Sequence, residues 1–102
     1  MQEIKILVDQ IYEEFEDAEK YFARAKSYKE KNSTIANTYL ELSIAELNHI
    51  DKLHSIVILL INNVKDLKKS IPIGMNEIWQ WEHEKIVEKV EELRFKISKF
   101  KS

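Results

Sequence analysis

Glu46-Leu47-Asn48-His49 sets a carboxylate and an imidazole one helical turn apart. Side chains at that spacing share a helix face and can grip one metal ion. As a string, Glu-x-x-His carries little weight in a chain so rich in glutamate. Its position carries more. Glu46 falls at the centre of an apolar stripe that reads Ile35, Tyr39, Leu42, then Glu46 and His49/Ile50, then Leu53, Val57, Leu60 and Val64. A carboxylate withdrawn from water there is costly unless it is paired or metal-bound. Lys and Arg are absent from the inward stripes of the first two helical segments, which weakens a buried ion pair. The competing reading is a polar core layer, with Glu46 hydrogen-bonded to Tyr39 or His49.

The preceding segment supplies partners. With a turn centred near Asn32, Glu14 lies 18 residues before it and His49 lies 17 after it. Antiparallel helices of equal rise then hold the two at similar depth. Glu14 belongs to a row at seven-residue steps, Leu7, Glu14, Tyr21 and Tyr28, that flanks the core stripe. Glu19 is its rival, level with Glu46 and flanking the stripe on the other side near Tyr12. Glu16 faces further out, toward water. The bland reading of Glu14 is a boundary glutamate in water.

Three amphipathic helices must position these groups. The first is expected over about residues 3–30, where Ile4, Val8, Ile11, Phe15, Ala18, Phe22 and Ala25 recur at alternating steps of four and three. Asn32 or Ser33 can cap the second, expected over about 34–64. Beyond Ile56 the second helix is apolar nearly all round, so it needs cover on more than one side, and self-association is expected. A connection over about 65–74 holds the strong breakers Pro72 and Gly74. The third helix, about 75–100, carries Met75, Trp79, Glu82/His83, Ile86, Val90, Leu93, Ile97 and Phe100 on its stripe, with Lys96, Lys99 and Lys101 near its C-terminus. His54 lies off the stripe and reads as a surface residue. Trp79 reads as core and Trp81 as an interface anchor.

Bulk composition narrows the classes. The 102 residues suit one all-α domain, 44% hydrophobic and 33% charged. A net charge of -2, with no basic stripe, gives nothing to draw nucleic acid or an anionic membrane. The absence of cysteine removes disulfides, thiolate metal sites and a catalytic thiol, and is compatible with a reducing cytoplasm. No signal-peptide pattern opens the chain, and the longest apolar run, Ile56–Ile61, falls far short of a membrane span. A soluble cytoplasmic protein is expected.

Glu14, Tyr21 seven residues on, and Glu46-Leu47-Asn48-His49 on the next helix together resemble the first half of ferritin-like di-iron carboxylate proteins, such as bacterioferritins and rubrerythrins. Tyr21-Phe22-Ala23-Arg24-Ala25, Tyr28-Lys29 and His49-Ile50-Asp51-Lys52-Leu53 extend the resemblance over roughly residues 11–60. It implies that Glu14, Glu46 and His49 are iron ligands and that Tyr21 is a hydrogen-bonding or redox partner beside them. It implies a di-iron centre, in which manganese or zinc could substitute for iron, and oxidation of ferrous iron by dioxygen or peroxide.

A full ferritin-like chain carries a second glutamate helix and a second Glu-x-x-His, and neither is present here. Two repairs are open. A homodimer could join two hairpins into one four-helix bundle and supply the full ligand set. Alternatively, Glu82 and His83 could complete the site within one chain if the connection crossed back along the bundle. Depth along the helices favours the homodimer, and the bland reading of Glu82 and His83 is a solvated flank beside Trp79. The alternative function is a non-catalytic helical interaction module with a polar layer that sets register. Missing cysteine argues against a rubredoxin-like electron-transfer domain, and neither methionine is placed as a haem ligand.

Overall fold

The computed structural model describes residues 2–66 and 74–101. Its elements are α1 (Gln2–Tyr28), α2 (Ser33–Asp66) and α3 (Met75–Lys101), with no strand among the described residues. Pro72, most of the expected connection and the Val64 side chain lie outside what is described.

α1 and α2 form an antiparallel hairpin. Asn32 makes the turn's cap, its side-chain oxygen accepting the Ile35 N–H at 3.1 Å, so Asn32 rather than Ser33 does this work. α1 buries Ile4, Ile11, Phe15, Ala18, Phe22 and Ala25, as its spacing predicts, with Val8 half-buried.

α2 departs from its expected stripe. It buries Ala36, Leu40, Ser43, Leu47, Ile50 and Val57, while Ile35 and Leu42 are exposed. Up to residue 50 the core face is therefore one position further along, about 100° around the helix. Small residues explain the rotation. Ala18, Ala25 and Ser43 are fully buried, and the Ser43 hydroxyl donates to the Ala18 carbonyl at 2.8 Å across the two helices. A face carrying Ala36 and Ser43 lets the backbones approach closely, which the larger Ile35 and Leu42 would prevent.

α3 runs antiparallel to α2 and lays Ile86, Val90, Leu93 and Ile97 onto the hairpin. Phe100 packs edge-on against Phe22 with ring centroids 5.8 Å apart. Arg94 reaches Asp51 at 2.6 Å and Asn48 at 3.3 Å. Gly74, which precedes α3, takes a φ of +85°, in the left-handed region that glycine adopts without strain. No helix among the described residues is long and apolar enough to cross a membrane.

Candidate metal centre

The Ser43–Ala18 contact sets the depth of everything beside it. Glu14 lies one turn before Ala18 and Glu46 one turn after Ser43, so an antiparallel pair brings them level. Ligand atoms of Glu14, Glu46 and His49 lie within 4.8 Å of one another. His49 Nδ1 is 3.6 Å from Glu46 Oε1 and 3.9 Å from Glu14 Oε2. Gln10 steadies Glu14 from the preceding turn, donating at 3.1 Å.

Burial is graded across the three. The Glu46 and Glu14 side chains are 17% and 18% exposed, whereas His49 is 53% exposed. The cluster therefore sits on the flank of the hairpin rather than in the core, because α2 is rotated relative to its expected stripe. Glu46 Oε2 is nevertheless buried and has no hydrogen-bond partner among the described residues. Burial, with the Glu14 carboxylate and then Asp17 nearby, pushes the Glu46 carboxyl up to about 7. Glu14 is held below the usual carboxylate range by its interaction with the Glu46 carboxyl, helped by Gln10 and His49. The two acids therefore titrate as a pair, Glu46 shifted up and Glu14 down.

The other residues singled out from the sequence go elsewhere. Glu19 and Glu16 are exposed and outside the cluster. Glu82 accepts a hydrogen bond from Tyr12, and His83 meets His54, so neither α3 residue is brought to Glu46. Their partners Tyr12 and His54 lie on the α3 side of the hairpin, and Glu14 is turned about 160° from Tyr12 around α1. His54 is half-buried against His83 and is not the surface residue its off-stripe position suggests. That contact spans two helices and has no signal in either one's own periodicity. Trp79 packs against the core, and Trp81 is 55% exposed with the Lys85 ammonium 4.5 Å from its ring centroid.

Tyr21 heads an aromatic ladder on the same face as the cluster. It stacks on Tyr39 at 6.2 Å, and Tyr28 stacks on Tyr39 at 6.1 Å. Arg24 donates to the Tyr39 hydroxyl at 3.3 Å. This face lies away from α3 and also carries the exposed Ile35, Leu42 and Ile56.

The chain matches no protein-family model, no curated protein and no solved structure.

Proposed function

We propose that this protein binds iron between Glu14, Glu46 and His49 and oxidises ferrous iron with dioxygen or peroxide, in the manner of ferritin-like carboxylate proteins. The observation that carries this reading is the Glu46 carboxylate, which has its Oε2 buried without a hydrogen-bond partner among the described residues and lies within ligand reach of Glu14 and His49. Two carboxylates and one imidazole form a donor set suited to ferrous iron, with manganese or zinc as substitutes. Iron supplies the redox chemistry, passing electrons to the oxidant. Glu46 gives up its proton when a cation arrives, Glu14 is already ionised, and His49 offers a ring nitrogen at the rim. Tyr21 is the candidate redox or hydrogen-bonding partner, two turns along α1 from Glu14.

One hairpin provides half of a ferritin-like ligand set. A homodimer formed through the face away from α3 would bring a second Glu14, Glu46 and His49 and cover Leu42 and Ile56, making a four-helix bundle around the metal. The exposed apolar side chains on that face equally favour the second reading, a helical interaction module whose polar layer only sets register.

Anaerobic addition of ferrous iron, followed by air, separates the two. The iron reading expects near-ultraviolet absorbance of ferric product, iron uptake approaching one ion per chain and a dimeric solution mass, with uptake lost in Glu46→Gln. A dimer that takes up no iron and shows no change in thermal stability supports the interaction module.

A further inference from the structure

A second pair of metal-binding atoms meets on the α3 side of the hairpin. His54 Nε2 on α2 and His83 Nδ1 on α3 stand 2.9 Å apart, with ring centroids 4.8 Å apart. Both rings and Glu82 line a cavity of about 20 Å³ whose other walls include Val8, Val57 and Ile86. That volume holds one water-sized body. His83 also lines a neighbouring cleft of about 190 Å³ bearing Asn62, Asn76 and Gln80.

We infer that His54 and His83 chelate a single divalent d-block cation of the zinc, nickel or copper class, tying α3 to α2 at a site separate from Glu14, Glu46 and His49. Two imidazole nitrogens each about 2.1 Å from the ion are roughly 3.0 Å apart at the right angle of tetragonal copper or nickel and roughly 3.4 Å apart at tetrahedral zinc. The observed 2.9 Å spacing is close to the right-angle bite, and each ring turns from facing the other nitrogen to face the ion. Imidazole donors select borderline metals over magnesium or calcium. Chelation needs both rings neutral, and burial, with His83 close by, lowers the His54 pKa, while Asp51 opposes it. Glu82 stays on Tyr12, lines the same cavity and offsets the cation's charge without being a ligand. Water entering from the cleft fills the remaining positions.

The chain has three histidines, so His49→Gln leaves His54 and His83 as its only imidazoles. Titrating that variant with copper(II) and counting coordinated imidazoles by electron spin echo modulation should give two per bound ion and one ion per chain. Adding His83→Gln should reduce the count to one and weaken binding at least tenfold. Zinc should raise the melting temperature of His49→Gln and leave the His49→Gln/His83→Gln protein unmoved. A count of zero or one imidazole in His49→Gln overturns the site and leaves a plain N–H···N hydrogen bond between the rings. That count decides the matter even if the double variant fails to fold, and it is independent of iron binding at Glu46.

Discussion

His49 Nδ1 stands 3.9 Å from Glu14 Oε2 across the α1–α2 interface, and Glu46, one turn before His49 on α2, keeps one carboxylate oxygen shut away from water. Glu14 and Glu46 shift each other's titration across that interface.

The folded-state pKa of Glu46, about 7, lies above the ordinary carboxyl value of 4.5. The native state thus holds this proton more tightly than the unfolded chain does. The stability that Glu46 contributes is complete below about pH 4.5 and is lost as pH rises through about 7. Glutamine mimics the neutral acid, so metal-free Glu46→Gln should melt about 5 °C above wild type at pH 8 and close to it at pH 4.5. Circular-dichroism melts across that range provide the check. Equal melting temperatures at both pH values would refute the buried-acid account.

His54 works in the opposite direction. Its pKa is lowered chiefly by burial, then by His83. Its contribution is present above about pH 6.5 and falls away as pH drops through the lowered folded value. His54→Gln should therefore flatten the acid side of the metal-free stability profile, and Glu46→Gln the neutral side. The two variants melted in parallel test whether the slopes separate in this way.

Ser43 controls the hairpin's spacing. Ser43→Ala keeps the small volume and loses one hydrogen bond, at a cost of about 1 kcal/mol. Ser43→Leu must force α1 and α2 apart at Ala18, and overpacking of that kind costs about 3 kcal/mol. Because Glu14 and Glu46 flank the same contact, Ser43→Leu should also weaken metal binding, whereas Ser43→Ala should leave it near wild type. Urea unfolding and metal titration of the two variants measure both effects.

α3 is held by its apolar stripe more than by its ions. Leu93 is 5% exposed, so Leu93→Ala should cost about 3 kcal/mol. Arg94 and Asp51 are each about half exposed, and Arg94→Ala should cost under about 1 kcal/mol despite their 2.6 Å contact. Denaturant midpoints of the two variants rank the contributions.

The face away from α3 decides the proposed assembly. Leu42 and Ile56 are 41% and 45% exposed, so Leu42→Glu/Ile56→Glu should leave the monomer folded and shift the solution mass from dimer to monomer. Light scattering after gel filtration gives the mass, and far-ultraviolet circular dichroism confirms the helices.

The sequence by itself determined the three helices, the α1 core face and the similar depth of Glu14 and His49. Those features depend on local periodicity and on counting turns from the cap at Asn32, and both are written along the chain. Only the tertiary structure decided which way α2 turns. The choice between the Leu42 side and the Ser43 side depends on how closely two backbones can approach, a property of Ala18 and Ser43 together. That rotation moved Glu46 from the core to its flank, beside Glu14. Tertiary structure likewise decided the His54–His83 and Tyr12–Glu82 contacts, because each joins residues on different helices whose relative register no single helix's spacing records.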